Sequence, residues 1–388
     1  MDYFLTEEQL MIQDLARQIA EEKVLPVRAE LDEKEEFPKD LMKHFASSDL
    51  FGLIIPEEYG GMGLGGFEQA LAVEQVARVC CGVACTYAAS SLGAYPILLY
   101  GSDEQKKKYL PLIAGGEKLA AFALTESTAG SDAGGIQTRA VREGEEYVLN
   151  GTKQWITNAG EADIYTVIAL TDPTRGPRGA SFFIVEKGDP GFQFGKREKK
   201  MGIRCSATGE LIFNNCRIPA DRLISKEGRG FIIAMKTFDQ SRPGVGAQAV
   251  GLAQGALEAA VEYARTRIQF GHPVIGFQAV QHMLADMAAS VEAGRALVYA
   301  VARYIDSGAK DVSKVSAMAK LFPSDAAMKV ATDAVQVLGG SGYMREYPVE
   351  KMMRDAKILQ IYEGTNQIQR NVIGQELNKE FGRKKKKK

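Results

Sequence analysis

Two changes in hydrophobic pattern along the chain constrain the fold more than any other feature of the sequence. In residues 1–120, apolar side chains recur at helical spacing, as in "FEQALAVEQVARV" (67–79). Residues 121–226 instead carry short runs of β-branched and aromatic residues such as "IYTVIAL" (164–170). Helical spacing returns in residues 227–388. The sequence therefore predicts an α+β fold of three domains: an N-terminal α-helical domain, a middle β domain and a C-terminal helical domain.

The C-terminal domain is predicted to be a four-helix bundle. Its segments are rich in alanine, glycine and serine, which suit close antiparallel packing of helices. Helices are expected at 230–270, 277–308, 313–340 and about 365–378, the third of them stopping at Gly339-Gly340. The terminal "RKKKKK" (383–388) is predicted to be disordered, because like charges repel and bury nothing.

The middle domain is predicted to be antiparallel and β-barrel-like. Further strands are expected at "SFFIVE" (181–186) and "ELIFNNCRIP" (210–219). The pair Asn150-Gly151, inside "YVLNGTKQWITN" (147–158), is the strongest kind of short signal for a β-hairpin. We therefore expect a hairpin turn at Asn150-Gly151.

Composition argues against several classes of protein. The 48 Lys and Arg residues balance 49 Asp and Glu residues, for a net charge of −1, so we expect no binding to nucleic acid or to an anionic membrane. The chain has no run of 18 apolar residues, and the acidic start "MDYFLTEEQL" is unlike a signal peptide. Five cysteines without a CxxC pair and only three histidines argue against a metal site and a disulfide framework. We expect a cytoplasmic protein with reduced thiols, no membrane span and no metal.

The stretch "GMGLGG" (61–66) fits the GxGxxG pattern of dinucleotide-binding folds. Those folds also need a strand before the glycines and an acidic residue about 20 residues after them. Pro56 interrupts the preceding segment, and no acid lies between Glu74 and Asp103. We interpret the stretch as a glycine-rich turn between helices.

Several segments carry polar groups that suit a ligand, although each also has a purely structural explanation. The loop "AFALTESTAGSDAGG" (121–135) is either a hydrophilic connector or a cradle whose backbone N–H groups meet a polar ring or phosphate. Trp155, the only tryptophan, is either a core residue or the cover of a flat ligand. Asp239 and Arg242 form either a local ion pair on a helix or an arginine held for an anionic ligand.

Three segments of the C-terminal domain leave a similar choice open. "RTRIQFG" (265–271) and "QVLGGSGYMREYP" (336–348) are either turns or places where the backbone meets a large polar ligand. Glu363, in "QIYEGTNQIQ" (360–369), is either a surface carboxylate at a turn or a base in an apolar pocket. Composition alone favours the surface carboxylate.

Taken in order, these segments resemble the acyl-CoA dehydrogenase family of flavoproteins. The resemblance runs over nearly the whole chain and is carried by "ALTESTAGSDA", "NGTKQWITNA", "KKMGIRCSATGEL", "FDQSRPGVGAQAVGLAQGALEAAVEYARTRIQFG" and "QVLGGSGYMREYPVEKMMRDAKILQIYEGTNQIQR". It implies bound FAD and a fold of an N-terminal α-helical domain, a middle β-barrel-like domain and a C-terminal four-helix bundle.

The resemblance also implies roles for individual residues. Those matching contacts to the flavin ring are Phe122, Leu124, Thr125, Gly130, Ser131, Trp155, Ile156 and Thr157. Those matching contacts to the rest of FAD, usually that of a neighbouring subunit for the first three, are Arg267, Phe270, Gln278, Gln336, Gly339, Gly340, Thr365 and Gln367. Those matching substrate contacts are Ser131, Asp239, Arg242 and Gly364. Glu363 matches the catalytic base.

The reaction of the family explains why it needs such residues. The α-proton of an acyl-CoA is too weakly acidic for a free carboxylate, so hydrogen bonds to the thioester oxygen must stabilise the enolate. Relatives take these bonds from a flavin ribityl hydroxyl and from the backbone N–H that matches Glu363. Desolvation should raise the pKa of the carboxylate and thus its basicity. Hydride then leaves Cβ for flavin N5, the product is a trans-2-enoyl-CoA, and electron-transfer flavoprotein is the expected acceptor.

A few positions depart from the usual pattern of the family. Ser127 replaces a common proline, so we expect a looser turn there with the same backbone contacts, and Ala207 replaces a common aspartate. Some relatives carry the base on the long helix, near the position of Gly251, and have a non-acid where Glu363 stands. Here Gly251 and Ala253 offer no acid, so Glu363 remains the expected base.

Two other enzyme classes remain as alternatives, besides a flavin-binding relative without turnover. Glutaryl-specific members carry an arginine in the helix before "SSL", and "CCGVACTYAASSL" (80–92) has none, which disfavours a dicarboxyl substrate. Oxygen-using acyl-CoA oxidases usually have a longer chain with an extra C-terminal domain. The small and aromatic "TYAASSLGAYP" (86–96) is compatible with short, branched or cyclic acyl groups. The expected assembly is a homotetramer.

Overall fold

The first part of the chain is helical in the computed structural model, which describes residue 1 and residues 3–386, the last four as backbone only. Its helices are α1 (Glu7–Ile19), α2 (Arg28–Glu33), α3 (Lys39–Ala46), α4 (Gly66–Val79), α5 (Cys81–Tyr100) and α6 (Asp103–Ala114). The glycine-rich stretch 61–66 joins a 3₁₀ turn (Glu57–Tyr59) to α4, so the predicted turn between helices is confirmed.

The middle part of the chain forms one eight-stranded sheet. Its strands are β1 (Ala120–Ala123), β2 (Arg139–Glu143), β3 (Glu146–Thr157), β4 (Ile164–Leu170), β5 (Ala180–Glu186), β6 (Phe192–Arg197), β7 (Thr208–Pro219) and β8 (Leu223–Ile224). They lie in the order β6-β7-β3-β2-β4-β5-β8, and β1 pairs with β4. The sheet is mixed rather than antiparallel as predicted, because β1 and β2 both run parallel to β4.

The predicted hairpin at Asn150-Gly151 is wrong. Strand β3 runs straight through both residues, and its pairing with β7 shifts register between Leu149 and Gly151. A Cβ on Gly151 would lie 2.5 Å from Thr138 Oγ1, so the glycine serves close packing inside a bulge. The hairpin between β2 and β3 instead turns at Gly144, whose φ is +63°.

Helices return after the sheet. They are α7 (Gly230–Thr266), α8 (Gln278–Asp306), α9 (Ser313–Leu338), α10 (Pro348–Leu359) and α11 (Asn366–Lys386), with a small hairpin of β9 (Ile268–Gln269) and β10 (His272–Pro273) after α7. Of these helices, α10 is missing from the sequence prediction. The backbone of α11 continues through Lys386, within the segment 383–388 predicted to be disordered, and residues 387 and 388 lie outside the described residues.

Helix α5 connects the helical and β parts of the molecule. A Cβ on Gly93 would lie 2.5 Å from the backbone nitrogen of Ala121, so only glycine lets the helix lie this close to β1. Thr166 Oγ1 donates to the Gly93 carbonyl at 3.1 Å, and Ser90 Oγ accepts from the Ala120 N–H at 3.0 Å. Length and composition would also allow α5 to cross a membrane, but 78% of its most apolar window is buried inside the fold.

Candidate active site

A cavity of about 420 Å³ lies where all three parts of the chain meet. Helix α5, the segment after β1, strand β3, helix α7 and the turn after α10 supply its walls. Eleven of the residues to which the sequence assigns a role line it: Phe122, Leu124, Thr125, Gly130, Ser131, Trp155, Ile156, Thr157, Arg242, Glu363 and Gly364. The structure therefore brings together residues that are up to about 240 positions apart in the sequence.

The turn between α10 and α11 carries Glu363 into this cavity. Glu363 has a φ of +50° and Gly364 a φ of +91°, so the backbone reverses within two residues. Gln369 Nε2 donates to the carbonyls of Glu363 and Gly364, at 3.0 and 2.8 Å. Thr365 Oγ1 accepts from the N–H of Ile368 at 3.2 Å and so caps α11. An unfavourable backbone conformation is thus held by side chains that follow it in sequence.

Burial raises the pKa of the Glu363 carboxyl above its ordinary value. A hydrogen bond from Ser241 Oγ, 2.5 Å from Glu363 Oε2, works against this rise, as do the charges of Arg242 and Lys320. The nearest contact is thus a neutral hydroxyl rather than a cation. Such a carboxylate keeps enough basicity to take a proton.

Arg242 lines the cavity with its guanidinium almost fully buried, at 4% exposure. Its Nη1 lies 3.7 Å from Asp239 Oδ1, and its Nε has no hydrogen-bond partner within the described residues. Asp239 lies behind it and accepts from Ser313 Oγ at 2.7 Å and from Lys236 Nζ at 3.1 Å. Two hydrogen bonds thus fix Asp239 beside the arginine, and the local ion pair that the sequence allowed is present.

The loop after β1 is fastened to β3 by a buried ion pair that the sequence analysis missed. Lys153 Nζ lies 2.6 Å from Glu126 Oε1 and 3.0 Å from the carbonyl oxygen of Leu124. The N–H groups of Gln137 and Thr138 also donate to Glu126, at 2.6 and 3.1 Å. The only sequence signal for this pair is that a lysine stands among the inward-facing residues of a strand.

The turn that contains Ser127 is closed by backbone hydrogen bonds. Backbone hydrogen bonds link Glu126 and Ala129 in both directions, at 3.0 and 3.2 Å. The N–H of Gln154 donates to the carbonyl of Thr125 at 2.8 Å and joins the loop to β3. Although the usual proline is absent, these backbone hydrogen bonds fix the position of Thr125.

Trp155 occupies an irregular position in β3 that turns its ring outward. The pairing of β3 with β7 shifts register between Lys153 and Ile156, and Trp155 has a φ of +58°. Its side chain is 55% exposed, whereas that of Ile156 is buried. A large ring left accessible at the edge of a cavity is unusual for a core residue and suits a ligand with a flat face.

The cavity wall has the chemistry that a flavin ring needs. The aromatic faces of Trp155 and Phe122 suit the apolar body of the ring, and the hydroxyls of Thr125, Ser131 and Thr157 suit its polar edge. A Cβ at Gly130 would meet nothing within 4 Å, so the loop leaves open space there. These residues fit FAD, and no metal is indicated: within the described residues no cluster of three His, Cys, Asp or Glu side chains could hold one.

The remaining residues to which the resemblance assigns a role do not line the cavity. They are Asp239, Arg267, Phe270, Gln278, Gln336, Gly339, Gly340, Thr365 and Gln367. Apart from Asp239 and Thr365, these side chains or backbones are exposed, and Phe270, at a φ of +53°, is 89% exposed between β9 and β10.

Besides Lys153 and Glu126, three functional candidates near Glu363 escaped the sequence analysis. Ser241 reaches the carboxylate from α7, where the sequence analysis looked for an acid near Gly251. A Cβ on Gly251 would lie 2.1 Å from the carbonyl oxygen of Glu74, so that position faces α4 and not the cavity. Lys320 and Gln369 bind the turn itself. Helical periodicity alone does not distinguish Ser241, Lys320 and Gln369 from other positions of a helical bundle.

Family models match the chain along most of its length. The acyl-CoA dehydrogenase N-terminal domain matches residues 6–117, the middle domain residues 121–216 and the C-terminal domain residues 228–378. A probable acyl-CoA dehydrogenase of Mycobacterium tuberculosis is 49% identical over 96% of this chain and 96% of its own. A short-chain specific acyl-CoA dehydrogenase of Clostridium acetobutylicum is 46% identical over 96% and 98%.

Solved structures with a similar fold point to the same family as the sequence comparisons. A structure described as the electron transferring flavoprotein of Acidaminococcus fermentans has a TM-score of 0.95 and 51% identity, covering 97% of this chain and 99% of that one. Butyryl-CoA dehydrogenase of Megasphaera elsdenii has a TM-score of 0.95 and 46% identity, covering 97% and 100%. An acyl-CoA dehydrogenase of Bacillus anthracis complexed with FAD has a TM-score of 0.92 and 38% identity, covering 98% and 69%.

The cavity and the three-part fold thus define a flavin-dependent oxidoreductase. The chain belongs to the acyl-CoA dehydrogenase family, and the fold that its sequence predicts is confirmed apart from the sheet's strand directions.

Proposed function

We propose that this protein oxidises an acyl-CoA thioester to the trans-2-enoyl-CoA, with Glu363 as the base that removes the α-proton. The observation that carries this proposal is the setting of Glu363: a carboxylate of raised pKa, in contact with a neutral hydroxyl, on the wall of the cavity that the flavin-loop residues also line. Near neutral pH, such a group is a stronger base than a solvated glutamate.

The residues of the chain divide the chemistry between them. Glu363 takes the α-proton on Oε1 or Oε2, and its own backbone N–H donates to the thioester oxygen, where negative charge develops. Bound FAD would supply the acceptor for the hydride that leaves Cβ. Ser241 orients the carboxylate, and the apolar walls exclude water from the reacting carbons.

FAD is proposed to bind in two parts. The residues that would hold its ring are Phe122, Leu124, Thr125, Gly130 and Ser131 from one side and Trp155, Ile156 and Thr157 from the other. The rest of the cofactor meets Thr365 and Gln367, together with a second set of residues: Arg267, Phe270, Gln278, Gln336, Gly339 and Gly340. Exposure of this second set supports the proposal that it serves the cofactor of a neighbouring subunit in a homotetramer.

The CoA part of the substrate is proposed to meet Arg242, with Ser131 and Gly364 near the thioester. Arg242 suits this role because its buried Nε lacks a partner within the described residues and Asp239 holds the group from behind. A substrate carbonyl or phosphate oxygen would satisfy the open donor.

The acyl group is proposed to be short, branched or cyclic. Small side chains of α5, Ala88 and Ala89, line the cavity together with Leu92, and Gln248 and the hydroxyl of Tyr362 form a hydrogen bond at its wall. Arg242 is the only arginine that lines the cavity within the described residues, which supports a monocarboxyl rather than a dicarboxyl substrate. The named substrate of the Megasphaera relative is of the same short class.

Electrons are proposed to pass to electron-transfer flavoprotein. Support comes from the neighbour whose description names that protein and whose fold superimposes on this chain with a TM-score of 0.95. With balanced charge and free, buried cysteines, the chain is proposed to work in the cytoplasm.

Anaerobic spectroscopy of the purified holoenzyme tests the proposal. We expect a flavin absorbance that a panel of acyl-CoAs bleaches, fastest for short, branched or cyclic members. A flavin that no acyl-CoA bleaches would refute the dehydrogenase. Reoxidation by air with one equivalent of peroxide would assign an oxidase, and a preference for glutaryl-CoA would assign the dicarboxyl branch.

A further inference from the structure

Among the side chains that the structure describes, three lysines are buried, and one of them has unusual partners. Lys153 lies 2.6 Å from the carboxylate of Glu126, and Lys351 lies 2.5 Å from that of Asp355. Lys320, at 0% exposure, instead donates to two neutral oxygens: the carbonyl of Gly364 at 2.9 Å and Oδ1 of Asn366 at 2.7 Å. A buried ammonium without a carboxylate in contact is costly, so this position calls for an explanation.

Both acceptors of Lys320 belong to the turn that carries Glu363. The Gly364 carbonyl follows Glu363 directly, and Gln369 Nε2 donates to the same oxygen at 2.8 Å. Asn366 is fixed in turn, since its Nδ2 donates to Asp325 Oδ1 at 2.6 Å and to Ser324 Oγ at 2.9 Å. Lys320 therefore joins α9 to a backbone segment with positive φ values, over 44 positions of sequence.

We propose that Lys320 is a positioning residue for α-proton abstraction: its two hydrogen bonds fix the Glu363 turn, and on the acid side of neutrality it adds a positive charge near the Glu363 carboxylate. The inference rests on the proposed role of Glu363. The Glu363 side chain and the Glu363 N–H both move with the backbone torsions of this turn. A lysine that fixes the turn would therefore set the direction of both groups. Misplacement of a catalytic group by about 1 Å can cost about hundredfold in rate.

The charges around Lys320 are consistent with this role. Burial, and then the cation of Arg242 on α7, lower the pKa of Lys320 to about 7, while Glu363 and Asp325 work in the opposite direction. In return, Lys320 lowers the pKa of Glu363. Loss of the ammonium should therefore leave Glu363 with a higher pKa, so that more of it is protonated on the acid side of neutrality.

The test compares Lys320→Met with Lys320→Arg and with Lys329→Met in the holoenzyme. Lys329 lies on the same helix, exposed and paired with Asp333, and is a matched control. For Lys320→Met we expect kcat to fall about ten- to hundredfold, with KM changed less than about threefold. The isotope effect for substrate deuterated at Cα should rise, and the acid limb of the pH profile should move to higher pH. Lys320→Arg should restore part of the rate.

A readout independent of turnover completes the test. Hydrogen exchange of the 360–369 backbone, measured by mass spectrometry, should be faster in Lys320→Met and unchanged in Lys329→Met. If Lys320→Met does not fold, Lys320→Gln, which keeps one donor without the charge, must show the same shift of the acid limb.

The outcomes separate this inference from the proposed function. An unmoved acid limb, or a loss of kcat that only follows loss of bound flavin, would overturn the role of Lys320 and leave Glu363 as the base. Full turnover in Glu363→Gln would instead overturn the proposed function itself.

Discussion

Glu363 and Glu74 are the same type of residue in two different settings, and burial raises the pKa of both. Glu74, on α4, is 3% exposed and lies 2.9 Å from Arg295 Nε. Glu363 contacts the hydroxyl of Ser241, while the nearby cations Arg242 and Lys320 are engaged by Asp239 and by the Gly364 carbonyl. A cation in contact favours the charged form of a carboxylate, so we propose Glu363, which contacts a hydroxyl, and not Glu74 as the base.

Removing the charge of Glu363 is expected to have the largest effect on activity. Glu363→Gln should lower kcat by a factor of about 10²–10⁴, because the amide cannot take the α-proton. Flavin content and acyl-CoA binding should stay near those of the parent, as read from the flavin spectrum during titration. Glu376→Gln, which removes the partner of the exposed Lys379, is the control and should leave kcat unchanged. Near-normal turnover in Glu363→Gln would show that Glu363 is not the base.

Removing the cation beside Glu74 should affect stability instead. Arg295→Leu leaves a buried carboxylate without its partner and should lower the free energy of unfolding by about 3–5 kcal/mol. Urea unfolding measures this loss, and kcat per bound flavin should not change. Arg217→Leu breaks exposed pairs with Glu143 and Glu146 and should cost about 1 kcal/mol or less. Equal costs for the two variants would show that burial of Glu74 is unimportant.

The neutral contact of Glu363 can be removed by Ser241→Ala. Its hydroxyl lowers the pKa of Glu363, so its loss should raise that pKa and protonate the base at low pH. We expect kcat/KM to fall about three- to tenfold on the acid side and to recover as pH rises. Ser241→Thr keeps the hydroxyl and should resemble the parent. An acid limb that stays in place would mean that Ser241 only fills space.

The smallest effect is on stability at the active site. Because the folded-state pKa of Glu363 is raised, the protein loses stability as pH rises from the unfolded value through the folded one. Glu363→Gln removes this loss and should raise Tm by about 1–3 °C at pH 8 but not at pH 4. Differential scanning fluorimetry at both pH values checks the sign, and a lower Tm at pH 8 would contradict it.

Local patterns were reliable where a single element decides the outcome. The period of 67–79 predicted α4, and the apolar runs at 164–170 and 181–186 predicted β4 and β5. Where two distant segments meet, local patterns failed. Asn150-Gly151 has the chemistry of a hairpin turn, yet Gly151 is a bulge residue because β3 must pass close to Thr138.

The sequence by itself determined the order of helical and β domains, and its resemblance to the family supplied the segments proposed to meet the ligand and the candidate base. Periodicity and motif chemistry are properties of neighbouring residues, so they can be read without coordinates. Only the tertiary structure decided that Ser241, 122 positions away, touches the Glu363 carboxylate and that Lys320 holds the following carbonyl. Whether a carboxylate meets a hydroxyl or a guanidinium depends on the packing of α7 and α9 against the turn, which no local pattern encodes. That packing is why Glu363, and not Glu74, is the proposed base.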